Sequence, residues 1–394
     1  MDSPFDVVVV GGGLTGASCA LALDRAGLAV ALVEGGEPAP TNGRVDADWD
    51  SRIYAISPGS AAFLAELGVW SRLAPTRLAP VSAMHIRGDD GISELRFSAY
   101  EAGVAQLAWI VESGHLQHAL WDALAQGGRV ARLCPAQVTG LTLAPKEARL
   151  FLQDGRELSA RLVVGADGAR SRIRALAQLP FRDKDYHQLG VVANFACARP
   201  HGGIARQWFR EDGILAWLPL PGNRISMVWS TPTQHGEALL GLPPDELAAR
   251  VEQAGAGVLG RLEVITPAVG FPLHLIQVDR ISASRVTLIG DAAHQVHPLA
   301  GQGVNLGFGD AQCLAQVLAS HGARDCGDFL LLRRYERARK EDVIAMQAVT
   351  DGLKALFGHP NPLLGVLRNL GLSLTGRLGP IKQLLVRHAL GGAG

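Results

Sequence analysis

A glycine-rich turn near the start of this 394-residue chain constrains its fold more than any other feature. The turn follows Phe5–Val10, a β-branched run typical of a buried parallel strand. It opens Leu14–Ala26, which has the pattern of a helix, and Ala29–Glu34 then has the pattern of a second buried strand. Strand, helix and strand in this order form a βαβ unit, so the sequence predicts a Rossmann-type α/β fold.

The turn has the spacing of a dinucleotide-binding fingerprint. Gly11 permits a tight turn, Gly13 lets the backbone approach a pyrophosphate, and Gly16 allows close packing of helix and strand. Free N–H groups and the helix dipole favour negative charge at the helix start, beside Leu14 and Thr15. The sequence therefore predicts a bound dinucleotide at this turn.

Glu34 ends the second predicted strand, where a carboxylate can accept both ribose hydroxyls of an adenosine and repel a 2′-phosphate. This fingerprint alone leaves NAD and FAD as alternatives. Two later turns favour FAD, because each carries a carboxylate after an apolar strand, namely Asp167 and Asp291. The run Gly301–Asn305 then offers backbone N–H groups at a helix start to the pyrimidine end of an isoalloxazine.

Between these turns the pattern changes to tryptophans and short alternating runs, which predict an antiparallel sheet. The dinucleotide fold is thus expected to be discontinuous, with a sheet-rich substrate domain inserted into it. We predict an FAD-binding domain at residues 1–75, 108–180 and 281–345, a substrate-binding sheet domain at residues 76–107 and 181–280, and a C-terminal helical region at residues 346–394.

Composition argues against several classes of protein and partner. The 37 Lys and Arg balance 37 Asp and Glu, so a broad basic face for nucleic acid is not expected. Five cysteines form no CxxC pair, which argues against a disulfide scaffold and favours a reducing compartment. No apolar run is long enough to span a bilayer, and the N-terminal run matches a strand rather than a signal peptide. We therefore predict a cytoplasmic protein.

The last part of the chain differs in charge from the rest. Residues 352–394 contain no Asp or Glu, and leucines at helical spacing alternate with basic residues. Two interpretations stay open: a helical pair that packs on the body, and a basic amphipathic surface that contacts a partner or anionic lipid at the inner face of the membrane. The basic residues are Lys354, Arg368, Arg377, Lys382 and Arg387.

The three motifs, in this order and spacing, resemble those of the class A flavin-dependent monooxygenases, and the resemblance spans nearly the whole chain. Asp50-Ser51-Arg52, Leu67–Trp70 and Gly290–Asp310 are similar to segments of a narrower family, the ubiquinone-biosynthesis hydroxylases of the UbiH, UbiF and VisC type. The resemblance implies a monooxygenase that uses FAD and O2, through a flavin C4a-hydroperoxide, to hydroxylate the ring of an apolar polyprenylated phenol. Partners in a biosynthetic complex are a further implication.

The resemblance also assigns residues to the cofactor. Arg52 would contact the FAD phosphates or ribityl chain, and the backbone at Val138 would contact adenine. Ser113 stands where many class A relatives have arginine, and Gln117 is the predicted helper there. The full predicted FAD-binding set is Gly11, Gly13, Leu14, Thr15, Gly16, Glu34, Arg52, Gln117, Val138, Asp167, Asp291, Pro298, Gly301, Gln302, Gly303, Val304 and Asn305.

Residues on the substrate side have weaker signals, because the cofactor rather than a side-chain dyad carries the chemistry in such enzymes. His297 and Pro298, beside the isoalloxazine, are the candidates for a catalytic contact. His294 and His297 form an HxxH without further ligands, so no metal site is predicted. Tryptophans and a proline in the predicted sheet are either sheet core or an apolar wall facing the flavin. The predicted substrate residues are Trp208, Trp217, Pro219 and His297.

Two alternative functions stay open. One is a class A hydroxylase that acts on a small soluble phenol or aromatic acid. The other is a non-catalytic assembly subunit of a biosynthetic complex. The chain has a single dinucleotide fingerprint, so electrons would come from transiently bound NAD(P)H or from a separate reductase.

Overall fold

The computed structural model describes residues 5–38, 49–88, 94–295, 303–320 and 325–341. Within them the chain has the α/β fold that the sequence predicts, with a largely parallel sheet and an inserted antiparallel sheet. The helical region predicted at residues 346–394 lies outside the described residues. Among the described helices, none is long and apolar enough to cross a membrane.

Five neighbouring parallel strands form the centre of the first sheet. Val7, Val8 and Val9 of the central strand are fully buried, because both faces of the sheet are covered. The strands come from three separate stretches of the chain. The domain boundaries given above remain predictions. In spatial order the sheet runs Ser282–Ala283, Val286–Leu288, Glu157–Gly165, Phe5–Val10, Val30–Val33 and Ala131–Leu133, with Val138–Leu143 and Ala148–Leu152 joined to it as a meander.

Helices cover one face of this sheet. Leu14–Arg25 packs against Ser113–Gly127 and Gly303–Ala319, and the helix at residues 329–341 adds apolar side chains to the same core. The meander and the short helix Arg172–Leu176 cover the other face. The edge at the carboxyl ends of the strands is therefore framed by helices and turns.

The second sheet has nine strands and is antiparallel except where Ile204–Arg210 meets Ala83–Arg87. One of its faces packs against Thr233–Leu240 and Pro244–Ala254, two helices that the sequence patterns did not predict. In spatial order the strands are His294–Gln295, Val269–Val278, Phe181–Cys197, Arg224–Pro232, Gly213–Leu220, Ile204–Arg210, Ala83–Arg87 and Glu94–Ser98, and Leu262–Val264 also pairs with Phe181–Cys197.

A small third sheet connects the two larger ones. Its central strand, Ala108–Glu112, buries Ile110 against the second sheet and Val111 in the core of the first. Its other strands are Ile53–Ile56 and Ala79–Val81. The remaining helices are Pro58–Glu66 and Ala99–Ala102, with single 3₁₀ turns at Trp70–Arg72, Pro75–Arg77 and Gly290–Ala292.

Candidate cofactor site

Three turns meet at one edge of the first sheet. They follow the carboxyl ends of Phe5–Val10, Glu157–Gly165 and Val286–Leu288, which are parallel neighbours. Ligands of open α/β sheets bind at this edge, because turns and helix N-termini collect there. These are the three motifs that the sequence analysis singled out, so the fold brings Asp167 and Asp291 to the same edge as the glycine fingerprint.

The glycine fingerprint is packed at two positions and open at the third. Gly11 has a φ of +105°, and a Cβ there would lie 2.3 Å from the carbonyl oxygen of Ala166. A Cβ on Gly16 would lie 1.8 Å from the carbonyl oxygen of Gly11. Gly13, the N-cap of Leu14–Arg25, has no side-chain cap, and no described atom lies within 4 Å of its ideal Cβ. The helix N-terminus is thus accessible to an anionic group.

Glu34 braces the glycine turn from the end of the neighbouring strand. Its Oε2 accepts a hydrogen bond from the Gly12 N–H, and its Oε1 accepts one from the Gly36 N–H at 3.2 Å. The carbonyl oxygen of Gly12 accepts hydrogen bonds from Gln117 Nε2 and from Trp121 Nε1, the latter at 2.9 Å. The Gln117 side chain therefore contacts the predicted cofactor turn at the backbone of Gly12.

Gly12 is a site residue that the sequence analysis missed. A Cβ on Gly12 would lie 2.7 Å from Cζ2 of Trp121 and 3.0 Å from Cβ of Glu34. The available signal was the run of three glycines at 11–13, of which the fingerprint uses only two. The Ala136 N–H donates to the Glu34 carbonyl oxygen at 2.7 Å, which places the segment before Val138, the predicted adenine contact, beside Glu34.

Asp167 shapes the Asp-Gly turn. Its carboxylate accepts hydrogen bonds from the Ser171 hydroxyl, from the Arg172 N–H at 2.7 Å and from the Ile173 N–H at 3.0 Å. Ser171 is the N-cap of the helix Arg172–Leu176, and Asp167 supports this cap by accepting two further N–H groups of the first turn. The structure assigns Asp167 a capping role, and a direct contact with flavin stays a prediction.

Arg174 joins the Asp-Gly turn to the Gly-Asp turn. Its Nη2 donates to the Ala169 carbonyl oxygen at 2.7 Å, and its Nη1 donates to the Ala292 carbonyl oxygen at 2.9 Å. The guanidinium is 4.1 Å from the ring centroid of Phe181. Sequence reasoning missed this buried brace, since no local pattern separates it from a solvated arginine.

Asp291 presents a carboxylate that the described residues leave available. The turn that carries it packs on the first helix, where a Cβ on Gly290 would lie 3.1 Å from the Thr15 side chain. Burial raises the pKa of Asp291, while the charges of His294 and Arg52 oppose the shift. Among the described residues, none is shown donating a hydrogen bond to this carboxylate. It is therefore suited to accept one from a ligand hydroxyl.

Arg52 lies beside Asp291 on a loop that the carboxylates of Asp50 and Glu112 hold in place. The Asp50 carboxylate accepts hydrogen bonds from the Arg52 N–H at 2.8 Å and from the Gly114 N–H at 2.9 Å. Glu112, itself paired with Arg77, accepts the Asp50 N–H at 2.7 Å. These bonds fix the backbone and leave the exposed Arg52 side chain at the edge of the site.

Asn305 ties the start of the helix Gly303–Ala319 to the third sheet. Its Oδ1 accepts the Ser57 N–H at 3.0 Å, and its Nδ2 donates to the Ala55 carbonyl oxygen at 2.8 Å. Val304 is buried beside it, and Gly303 has no described neighbour within 4 Å of its ideal Cβ. The other predicted residues of this motif, His297, Pro298, Gly301 and Gln302, lie outside the described residues.

The predicted substrate residues Trp208 and Trp217 pack on the helix-covered face of the second sheet. Their ring centroids are 4.8 Å apart, and a Cβ on Gly255 would lie 2.0 Å from the Trp217 ring. Pro219 is buried two residues further along the same strand as Trp217. This packing suits the sheet-core interpretation, and a contact of these residues with substrate stays a prediction.

The opposite face of the second sheet points toward the Arg52 loop. Leu218 and Met84 pack there in one cluster with Trp49 and Ile53. Asn194 Nδ2 on the same sheet donates to the Asp50 carbonyl oxygen at 2.9 Å. Leu218 and Met84 thus form an apolar wall that packs against the segment around Arg52, and Leu218 alternates with Trp217 along its strand.

The fold and its turns define a Rossmann-type dinucleotide-binding protein, and the open helix N-terminus and available Asp291 carboxylate fit FAD. Residues 4–351 match the family model described as FAD binding domain. The chain belongs to this FAD-binding family. Predictions of the family and of FAD as cofactor are thereby confirmed.

Two curated relatives align with nearly the whole chain. Ubiquinone hydroxylase UbiL of Rhodospirillum rubrum is 36% identical over 394 residues, which cover 99% of this chain and 90% of that protein. The 3-demethoxyubiquinol 3-hydroxylase of Escherichia coli is 34% identical over 396 residues, which cover 99% of each chain. The crystal structure of p-nitrophenol 4-monooxygenase PnpA from Pseudomonas putida, 20% identical, superposes with a TM-score of 0.78 over 100% of both chains and so has the same fold.

Proposed function

We propose that this chain is an FAD-dependent monooxygenase that hydroxylates the aromatic ring of a prenylated phenol or quinol on the way to ubiquinone. The observation that carries the proposal is full-length likeness to relatives named for such hydroxylations. The three turns at the cofactor edge support it, because they suit a flavin dinucleotide in an α/β sheet.

The side chains of this protein would bind the cofactor and orient the substrate. FAD, once bound and reduced, would supply the activation of O2. The N-terminus of Leu14–Arg25 would bind the pyrophosphate, and Asp291 would accept a ribityl hydroxyl with Arg52 beside it. Positioning the substrate ring and excluding water then fall to residues around the cofactor edge.

The apolar wall of the second sheet suits a prenylated substrate. Leu218 and Met84 of this sheet share an apolar cluster with Ile53, which directly follows Arg52. An aromatic ring carrying an isoprenoid chain has large apolar area to remove from water, which favours such a wall. We assign the substrate ring to this face rather than to the face that holds Trp217.

Contact with a membrane or with a biosynthetic complex belongs to the same proposal. A prenylated substrate resides in the bilayer, and the acid-free region at residues 352–394 carries five basic residues that anionic lipid would attract. We therefore infer that the protein acts at the inner face of the membrane, with electrons from NAD(P)H or a separate reductase.

Product formation by the purified protein tests this function. The protein, loaded with FAD and given NAD(P)H or a chemical reductant, would be incubated in air with a prenylated phenol and, in parallel, with a small soluble phenol. Oxygen-dependent hydroxylation of the prenylated compound supports the proposal. Hydroxylation of only the soluble phenol would favour a class A hydroxylase of small aromatics, and no product with bound FAD and both electron sources would favour an assembly subunit.

A further inference from the structure

A buried cluster of three charged side chains lies behind the Gly290–Ala292 turn. Asp310 Oδ2 accepts hydrogen bonds from the Gly290 N–H at 2.8 Å and from His294 Nε2 at 2.7 Å. Asp310 Oδ1 accepts one from Arg339 Nε at 2.7 Å. All three side chains are at most 7% exposed, so these bonds form out of contact with water.

The cluster joins three elements. Asp310 lies on the helix Gly303–Ala319, His294 follows the turn, and Arg339 lies on the helix at residues 329–341. One helical turn before Arg339, the Tyr335 hydroxyl donates to the Leu288 carbonyl oxygen at 3.1 Å. The helix at residues 329–341 therefore touches both the strand that enters the turn and the carboxylate that holds it.

The direction of the Asp291 carboxylate depends on this arrangement. Gly290 has a φ of +59°, a conformation fixed here by the N–H bond to Asp310 and by the packing against Thr15. Buried charges are costly unless each is paired, and the cluster pairs one carboxylate with two cations and a backbone N–H. Asp291, next to Gly290, has no such donor among the described residues. The backbone of the turn therefore sets the orientation of the Asp291 carboxylate.

We propose that Asp310, His294 and Arg339 are positioning residues that preset the Gly290–Ala292 turn for the flavin. Through Arg339, FAD affinity then depends on the helix at residues 329–341. None of the three side chains needs to touch FAD, because preorganisation of a neighbouring group lowers the ordering cost of binding. The inference requires FAD binding and not hydroxylation, so its failure is distinguishable from failure of the proposed function.

The test compares FAD affinity with stability in the apoprotein. FAD would be titrated into Asp310→Asn and Arg339→Met, with flavin fluorescence giving Kd and thermal unfolding giving Tm. We expect Kd to rise about tenfold or more in both variants, with recovery in Arg339→Lys, which keeps the charge. Asp325→Asn is the matched control, because it breaks the ion pair with the buried Arg285 away from the turn. It should lower Tm and leave Kd unchanged.

Lowered Tm with an unchanged Kd in Asp310→Asn and Arg339→Met would overturn the proposal and leave the cluster a purely structural role. If Asp310→Asn fails to fold, His294→Gln and Arg339→Met are compared in the same way, with Arg339→Lys as the variant that should recover FAD affinity. A pH series gives a second readout, since His294 faces Asp310, Arg339 and Asp291. FAD affinity of the wild type should fall as His294 loses its proton, and His294→Gln should remove that step; identical profiles would also contradict the proposal.

Discussion

At the scale of single residues, the fingerprint glycines differ in what occupies the space where a Cβ atom would lie. Gly11 and Gly16 press against backbone oxygens, so their role is close packing. Gly13 has open space at its ideal Cβ and a φ of −65°, which any residue can adopt. The space beside Gly13 is where a pyrophosphate would approach the helix N-terminus, so its role is in binding.

Replacement of these glycines by alanine should therefore separate folding from binding. Gly13→Ala is expected to change the free energy of unfolding by less than about 0.5 kcal/mol and to weaken FAD binding. Gly16→Ala should lower the free energy of unfolding by about 1–3 kcal/mol or more, because the new methyl would meet a backbone oxygen. Denaturant unfolding of the apoprotein and FAD titration measure the two effects. Equal FAD affinity in wild type and Gly13→Ala would remove the pyrophosphate from this position.

His294 gives the protein a pH-dependent stability term. Burial by itself would lower its pKa, but the Asp310 carboxylate outweighs burial and raises the pKa above the ordinary 6.5. A raised folded pKa means that the stabilisation is complete below pH 6.5 and is lost as pH rises through the folded value. The difference in unfolding free energy between wild type and His294→Gln should shrink across that interval. A difference that stays constant with pH would show that His294 does not carry the charge.

Local patterns identified the site residues whose partners lie near in sequence, and missed those whose partners do not. The fingerprint glycines, Glu34 and the two turn carboxylates could be predicted because spacing and preceding strands define them. Gly12 contacts Gln117, 105 positions away, and Arg174 contacts Ala292, 118 positions away. No periodicity in the sequence indicates such contacts, so the roles of these residues become visible only in the folded structure.

At the scale of elements, the parallel strands that precede the three motifs and the antiparallel nature of the inserted sheet were predicted. The meander strands Val138–Leu143 and Ala148–Leu152 and the helix pair on the second sheet were not. Thr233–Leu240 and Pro244–Ala254 are short, and their apolar positions are too few to stand out among alternating runs. Tertiary packing stabilises them: Leu247 and Val251 are buried in the cluster that contains Trp217. The same packing explains why the tryptophans are buried. The sequence alone could not decide between sheet core and a wall of the substrate site for these residues.

Close packing at the end of this helix pair can be tested with two glycines. A Cβ on Gly255 would lie 2.0 Å from the Trp217 ring, whereas the nearest atom to a Cβ on Gly241 is 3.7 Å away. Gly255→Ala should lower the free energy of unfolding by about 1–3 kcal/mol, through overpacking. Gly241→Ala, the matched control, should stay within about 0.5 kcal/mol. Denaturant unfolding decides, and equal values for the two variants would contradict the tight contact with Trp217.

At the scale of the whole molecule, the protein combines a discontinuous dinucleotide sheet with an inserted antiparallel sheet, and the candidate site lies where the two meet. The order of motifs predicted this arrangement, because each carboxylate turn follows its own parallel strand. The side of the inserted sheet that faces the site could not be predicted. Alternation offers two faces, and only the position of the helix pair selects between them.

The basic C-terminal region supplies a whole-molecule prediction. If residues 352–394 contact anionic lipid, the full-length protein should float with vesicles that contain anionic phospholipid and remain unbound with neutral vesicles. A variant that ends near Gly352 should lose this flotation while it retains bound FAD. High salt should release the full-length protein, because the attraction is electrostatic. Equal flotation of both forms would assign the region to packing on the body.

Isotope labelling of the oxygen atom that enters the product tests the proposed reaction at its chemical step. FAD-loaded protein, a reductant and a prenylated phenol would be incubated under ¹⁸O₂ in ordinary water, and the product analysed by mass spectrometry. We predict one ¹⁸O atom in the new hydroxyl group, and no product without O2. A product oxygen that comes from water, or no product from protein that retains FAD, would contradict the assignment as a monooxygenase.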